Sequence, residues 1–285
     1  MRPVKKIQPA YLRTLTETSA EAQTANIHHA LIESMGNYCS YCEMPLSDYH
    51  VEHIRYLASW PEILQLRQWD DLLLICNDCR SHIRVPELNK ESADAMLWPD
   101  KDITFSLQNS PFLYELRKVN YVVEADGEVI SSTQMELVFV VANKNAGESI
   151  YEKAVNTITH FQLNMQLEYY DAATNELRVP LEEDQQRTDN RMFKRTRAWR
   201  EAEEALLRLK ALDNLKDGTS GDKTIMREVL IKQIAMTAWY SGNWSVWMTV
   251  FHQLSGDLEL MKAVLASSEH PFTGLNNEAN AVFGR

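Results

Sequence analysis

The feature that most constrains this chain is the placement of its cysteines. All four cysteines among the 285 residues fall in two C-x2-C pairs, which we name the first knuckle (Cys39 and Cys42) and the second knuckle (Cys76 and Cys79). A C-x2-C turn brings two thiolates to one side of a tight loop, and two such knuckles form the closed tetrahedral site that structural Zn²⁺ prefers. We therefore predict one structural zinc ion held by all four cysteines, whose binding energy contributes to folding.

Composition places the chain among ordinary globular proteins, with 45% hydrophobic and 24% charged residues. The net charge of −11 argues by itself against a protein that coats nucleic acid without specificity. We find neither a run of about 18 apolar residues that would span a membrane nor a secretory signal pattern. We therefore expect a cytoplasmic protein, in which grouped thiols more often bind metal than form disulfides.

The residue pattern along the chain predicts an α+β protein that is mostly helical. A helix is expected over about residues 19–35, ended by Gly36 at its C-cap, and a long charged helix over 190–215. Asp126-Gly127 is a typical hairpin turn between two β-rich runs. The predicted segments are an N-terminal arm and helix (1–36), a metal-bearing module (37–102), a β-hairpin element (103–147) and a helical domain (148–285).

The residues from the first knuckle to the second resemble a known family. An acid-His pair on a first strand, a polar residue opening an apolar second strand, and a knuckle starting a helix are typical of the HNH endonucleases. That resemblance implies a ββα-metal core of treble-clef type, stapled by zinc, over residues 37–102. The matching residues are Cys39 and Cys42, Glu52-His53, Asp71 before Leu-Leu-Leu-Ile, and Cys76 and Cys79.

The resemblance implies metal-dependent hydrolysis of phosphodiester bonds in DNA or RNA. His53 is then the general base that activates water, a task suited to an imidazole with a pKa of about 6.5. Glu52 would hold Mg²⁺ or another divalent ion from the opposite face of the strand. Asp71 replaces the family's base-orienting Asn and can still accept a bond from the imidazole. His50 stays open as a second metal ligand, a phosphate contact or a solvated side chain.

Arg80 departs from the family pattern, which usually has a His or Asn metal ligand after the second knuckle. Arginine has no lone pair to offer a cation. His82 or Asp78 would then supply a ligand from the neighbouring turn, or Arg80 contacts the scissile phosphate while the metal keeps more waters. The third alternative is that the site no longer cuts, which would make the chain a non-catalytic zinc-binding subunit of a complex.

A competing interpretation is a zinc-dependent nucleobase deaminase. His50-Val-Glu52 followed by Cys76-x2-Cys79 also matches the H-x-E…C-x-x-C pattern of those enzymes. His50 and the second knuckle would bind a catalytic zinc while Glu52 shuttles protons. Two features disfavour it, because Ile75 stands where a Pro is expected and the first knuckle would have no role.

Two further phrases are similar to one branch of the family. Residues 96–102 (MLWPDKD) and 154–167 (AVNTITHFQLNMQL) resemble the HNH subunit of Septu-type anti-phage defence systems. That family pairs the nuclease with an ABC/RecF-like ATPase, sometimes within a retron cassette. The resemblance implies an ATPase partner, and a retron reverse transcriptase with its RNA–DNA product as a further one.

Two patterns in the C-terminal half have alternative interpretations. Arg191, Lys194 and Arg195 share one helix face, and we hypothesise that they grip a phosphate backbone. The alternative is a solvated face balanced by acidic residues just downstream. The Trp-rich stretch 236–248 is interpreted as helix core rather than interface, although a helical half of this kind is also the best candidate for docking an ATPase.

Overall fold

The computed structural model shows a mixed α+β protein in which helix predominates over strand. No helix among the residues described combines the length and the apolar character needed to cross a bilayer. The structure describes residues 1, 4, 6, 20–46, 50–53, 69, 72–81, 93–125, 128–164, 169–171, 176–178, 190–215, 220–256 and 261–262.

The helices and strands follow in a mixed order along the chain. A short 3-10 turn, Lys144–Ala146, lies between the last strand of the hairpin and the next helix. The helices described are α1 (Ala20–Met35), α2 (Asn77–Ser81), α3 (Glu148–His160), α4 (Arg191–Asp213), α5 (Ser220–Ser241) and α6 (Trp244–Ser255). The strands described are β1 (His50–His53), β2 (Leu72–Ile75), β3 (Phe112–Ala125), β4 (Glu128–Ala142), β5 (Tyr169–Asp171) and β6 (Glu176–Arg178).

Helix α1 leads directly into the first knuckle. Its Leu31 and Met35 side chains are buried in the core. The helix ends where Gly36 adopts a φ of 81°, a left-handed conformation that costs glycine little, and the Gly36 N–H donates to the Ile32 carbonyl. The predicted helix and its C-cap are therefore confirmed, and the cap turns the chain toward Cys39.

Strands β3 and β4 form a long antiparallel hairpin, with Phe112 opposite Ala142. The hairpin confirms the strand prediction, while the turn residues Asp126 and Gly127 lie outside the residues described. Strand β5 pairs with β3, and β6 with β5, which extends the sheet in the order β4-β3-β5-β6. The prediction that the chain is helical from residue 148 onward is therefore wrong at these two strands. Each has three residues, too few to show the alternation by which strands are recognised.

Among the described residues, most of the buried hydrophobic side chains belong to one large cluster that includes residues from all four predicted segments. Leu31, Leu74, Phe112 and Trp247 belong to it. The interpretation of the Trp-rich stretch as core is confirmed for Trp244 and Trp247, which are almost completely buried. A smaller second cluster is built from Val119, Leu137, Phe139 and Met192.

Lys6 ties the start of the chain to β2, which pairs with β1 in a small two-stranded sheet. Its Nζ donates to the carbonyls of Trp69 and Leu72, both at 3.0 Å, and pairs with Asp100 Oδ2 at 2.8 Å. Both charged side chains are buried, and a buried pair is stable only when further hydrogen bonds satisfy it, as these carbonyls do. The charge of this lysine in the predicted N-terminal arm is thus used inside the protein, against β2.

Gly242 joins α5 to α6 at the point where both helices meet the first knuckle. A Cβ at Gly242 would lie 2.4 Å from the Glu43 carbonyl oxygen and 2.7 Å from Cδ of Pro45. The next residue, Asn243, donates its N–H to the same Glu43 carbonyl at 3.0 Å. The close approach of two backbone segments therefore fixes the start of α6 against the knuckle.

Replacing Gly242 with alanine is expected to destabilise the protein by more than the cost of its backbone conformation. The φ of 69° costs an L-residue about 1–2 kcal/mol, and the overlap with main-chain and ring atoms adds about 1–3 kcal/mol. Urea denaturation measures the loss. Gly256→Ala is the matched control, because its φ is 61° but nothing lies within 4 Å of the added methyl. Equal losses in the two variants would contradict the close approach.

Candidate metal centre

The four cysteine sulfurs converge on one point. Every Sγ lies within 4.8 Å of the other three, and the Sγ atoms of Cys42 and Cys76 are 3.6 Å apart. A tetrahedral zinc with Zn–S bonds of about 2.3 Å separates its sulfurs by about 3.8 Å. The observed spacing fits that geometry, and the four cysteines are not in disulfides. The cluster can therefore hold a metal ion such as zinc.

The first knuckle is shaped by its own backbone hydrogen bonds. The Cys39 N–H donates to the Met44 carbonyl at 2.9 Å, and the Glu43 N–H donates back to the Cys39 carbonyl at 3.0 Å. Glu43 takes a left-handed φ of 62°, an uncommon conformation for a residue with a side chain. These bonds close the loop tightly enough to hold Cys39 and Cys42 on one side of it.

Strand β2 brings the two knuckles together. The Ser40 N–H in the first knuckle donates to the Leu74 carbonyl at 2.9 Å. The same strand, buried along its length, runs directly into Cys76. The Arg80 N–H then donates to the Cys76 carbonyl at 2.9 Å and forms the turn of α2 that carries Cys79. One strand thus anchors the first pair of thiols and delivers the second.

The centre is closed off from solvent over most of its surface. Cys39, Cys42 and Cys79 are buried, and Cys76 is half-buried. Burial, reinforced by the neighbouring thiols, raises the pKa of the Cys42 thiol well above its ordinary value. Without metal the neutral thiol is therefore favoured, so an incoming zinc ion must displace a firmly held proton.

Zinc loading is expected to fall as the pH is lowered from about 8 to about 5, because protons compete with the metal for the thiolates. The stability of the metal-free protein should instead fall as the pH rises. Burial raises the pKa of the Cys42 thiol, so the contribution of this protonated thiol to stability is present below the ordinary thiol pKa and is lost as the pH rises through the raised value. Zinc release to a chromogenic chelator at several pH values measures the first effect. Loading that does not change with pH would contradict thiolate ligation.

Two of the three arginine and lysine residues predicted to grip phosphate are inside the protein. Arg191 and Arg195 are 1% and 2% exposed. Their guanidinium groups donate to backbone carbonyls, Arg191 to Phe161 and Arg195 to Leu163. The hypothesis of an exposed basic face is therefore wrong for these two residues, and Lys194 alone of the three is exposed.

A sequence signal for this burial did exist. Arg191 and Arg195 share a helical stripe with Ala198, Ala202 and Leu206, all of which are buried. That stripe has the spacing of a core-facing helix side, and its apolar members predict that the arginines continue the buried face. The charge of the two residues concealed the pattern.

Glu43 is a buried acidic residue beside the first knuckle that the sequence pattern did not identify as a candidate site residue. Its carboxylate is buried and accepts the Ser245 N–H at 2.8 Å and the Tyr114 hydroxyl at 3.3 Å. It also pairs with the amino group of Met1 at 3.2 Å. Burial, with Glu43 nearby, raises the pKa of Tyr114 well above its usual value, and burial lowers the pKa of the Met1 amine. Glu43 thus fixes the back of the first knuckle to β3 and α6.

Three of the predicted site residues, His50, Glu52 and His53, lie on strand β1 of the two-stranded sheet. Strand β1 pairs with β2 in antiparallel register, with His50 opposite Ile75 and His53 opposite Leu72. The structure describes the backbone of β1, while the side chains of His50, Glu52 and His53 lie outside the described part. Asp71 and His82 also lie outside it. Arg80 is exposed on α2 directly after Cys79, and Asp78 on the same helix is half-buried.

The grouping of all four cysteine sulfurs disfavours the deaminase interpretation. That interpretation takes Cys76 and Cys79 as ligands together with His50 and leaves the first knuckle aside. In the structure the sulfurs of Cys39 and Cys42 belong to the same cluster as those of the second knuckle. Four sulfurs fill a tetrahedral zinc site, so the arrangement favours a closed structural centre over a catalytic zinc with an open position.

Comparisons with models of protein families, with curated proteins and with solved structures found no match to this chain. What the chain does must therefore be inferred from its own residues. The four-sulfur centre and the β1–β2 sheet attached to it carry the observations that bear on this inference.

Proposed function

We propose that this chain is a metal-dependent endonuclease of the HNH type, which hydrolyses phosphodiester bonds in DNA or RNA. The observation that carries the proposal is the connection between the sulfur centre and the strand with the His-Val-Glu-His run. Strand β1 pairs along its whole length with β2, and β2 runs directly into the second knuckle. The order of knuckle, β1, β2, knuckle and α2 supports a ββα-metal core of treble-clef type.

The proposed zinc has a structural role and a second metal a catalytic one. Four sulfurs leave no open coordination position for water or substrate, so the chemistry is assigned to other residues. In this proposal His53 would take a proton from the attacking water, and Asp71 would be the acceptor that orients its imidazole. Glu52 would be the main ligand of Mg²⁺ or another divalent ion, with His50 and His82 as further ligands. When bound, such an ion would supply positive charge at the leaving oxygen.

Four residues were predicted to contact nucleic acid. Arg191 and Arg195 are buried, so Arg80 and Lys194 are the two that we retain in the proposal. Both remaining side chains are exposed. Lys194 lines a groove of about 840 Å³ together with Leu46 beside the first knuckle and Tyr240 on α5. Two exposed cations on a chain with a net charge of −11 supply little attraction for phosphate. We therefore expect weak substrate binding by the chain alone.

A partner would compensate for this weak binding, and we propose an ABC/RecF-like ATPase in an anti-phage defence complex, with or without retron components. Helix α5 supports a docking role because it has apolar residues on its outer side as well as its inner one. Ile225, Val229, Met236 and Tyr240 are all at least 47% exposed and share one helix face. Exposed apolar patches of this kind are typical of protein interfaces.

The test is a cleavage assay with plasmid DNA, phage DNA and total RNA. The chain is incubated with Mg²⁺, with Mn²⁺ or with no added divalent ion, alone and with any ATPase encoded beside its gene. We expect cleavage that requires the divalent ion and increases when the ATPase is present. Absence of cleavage in every combination would instead favour a non-catalytic zinc-binding subunit.

A further inference from the structure

Arg191 places a buried positive charge in direct contact with the sulfur centre. Its Nη1 lies 3.2 Å from the Cys79 Sγ, within hydrogen-bond range of sulfur. The side chain comes from the first residue of α4, which is 112 positions away from Cys79 along the chain. Arginine stays protonated at every physiological pH, so this contact carries a full charge.

A guanidinium buried to this extent needs strong acceptors. Two of the acceptors of Arg191 are neutral, the carbonyls of Phe161 at 2.9 Å and of Gln162 at 3.0 Å. A thiolate at Cys79 would supply the negative charge that these carbonyls lack. Four thiolates outweigh the charge of one Zn²⁺, so a loaded centre is a net anion and benefits from a cation at its edge.

We infer that Arg191 is the outer-sphere cation of the zinc centre, a positioning residue that donates to the Cys79 thiolate and strengthens metal binding. This rests on the four-cysteine centre and not on nuclease activity. Because Arg191 is the first residue of α4, the same contact couples zinc binding to the packing of α4 against the two knuckles.

A second buried contact lies beside the contact between Arg191 and Cys79. Tyr41, between the two cysteines of the first knuckle, stacks on Phe161 with ring centroids 3.6 Å apart. The carbonyl of that same Phe161 accepts from Arg191. The knuckles, the turn after α3 and the first turn of α4 are therefore joined through one buried group of residues.

Arg195 provides a matched comparison one helical turn further along α4. It is as deeply buried as Arg191, and its hydrogen bonds go to the carbonyls of Val138 at 3.1 Å and Leu163 at 3.0 Å. It also donates to Asn164 Oδ1 at 3.3 Å. Removal of either arginine takes a donor away from buried backbone carbonyls, whereas of these two arginines only Arg191 donates to a cysteine sulfur in the contacts described.

The experiment compares Arg191→Met with Arg195→Met in the full chain. Zinc affinity is measured by chelator competition, and the charge-transfer absorption is measured on protein loaded with Co²⁺. Arg191→Met should weaken zinc binding about 10–100-fold, the usual loss when a partner of a metal ligand is removed. It should also move the cobalt band to longer wavelength, since the thiolate loses a donor. Arg195→Met should lower stability while leaving the affinity and the band unchanged.

Arg191→Lys keeps the charge and covers the case in which Arg191→Met does not fold. It should give a smaller weakening of zinc binding and a smaller shift of the cobalt band. An unchanged affinity and band in the folded Arg191 variants, or equal changes in the Arg195 variant, would overturn the inference. A wild-type chain that holds no zinc would overturn it as well. Zinc binding without any nuclease activity would leave it standing and contradict only the proposed function.

Discussion

Replacing Cys79 with serine is expected to release the zinc and to unfold much of the module around the knuckles. Cys79 is fully buried, and its sulfur is one of four in a cluster less than 5 Å across. Structural zinc contributes about 10–16 kcal/mol of binding energy in small zinc domains, which is comparable to the whole stability of a typical protein. Even a loss of about 4–5 kcal/mol would lower the Tm by about 8–20 °C, at the 2–4 °C per kcal/mol typical of large domains. Elemental analysis and thermal unfolding measure the two effects.

Ser40→Ala is the control for the cysteine variant. Ser40 is buried inside the first knuckle, and its described contact with β2 is made by the backbone N–H, which alanine retains. We expect zinc content and Tm close to those of the wild type. If Cys79→Ser kept a full complement of zinc and an unchanged Tm, the four-cysteine assignment would be wrong.

Replacing His53 with alanine is expected to reduce nucleic-acid cleavage by about 10²–10⁴-fold, the usual contribution of a general base. The zinc content should stay the same, because the four sulfurs form the proposed structural site without a histidine. Cleavage rates are compared at equal protein concentration and saturating divalent ion. The combination of lost cleavage and retained zinc separates a catalytic role from a structural one.

His29→Ala is the matched control for this variant. His29 lies on the outer side of α1 with 71% of its side chain exposed, and it pairs with Glu33 one turn along the helix. An exposed pair of this kind contributes less than about 1 kcal/mol, so the variant should cut like the wild type. Equal cleavage by the wild type and His53→Ala would exclude His53 as the base.

The features that sequence predicted correctly depend on residues close together in the chain. The end of α1 at Gly36, the β3–β4 hairpin and the span of α4 each follow from a local pattern. The meeting of the four cysteines is a longer-range prediction. It succeeded because a metal site restricts ligand type and spacing far more than ordinary packing does.

The features that sequence missed depend on partners far along the chain. The stripe of α4 indicates a buried face, but the acceptors that Arg191 meets there, the Cys79 sulfur and the turn after α3, lie far away along the chain. Glu43 is buried because β3 and the start of α6 bring donors to its carboxylate. Strand β5 forms by pairing with Val119–Tyr121 on the edge of β3 that β4 leaves open. Such arrangements are set by tertiary contacts, which override local propensity.

X-ray absorption at the zinc edge of the purified protein tests the central claim most directly. The account predicts one zinc per chain with four sulfur neighbours at about 2.3 Å and no nitrogen or oxygen ligand in the first shell. A shell of two sulfurs with nitrogen and oxygen neighbours would contradict it. That result would instead indicate a zinc held by His50 and the second knuckle, with an open position for water.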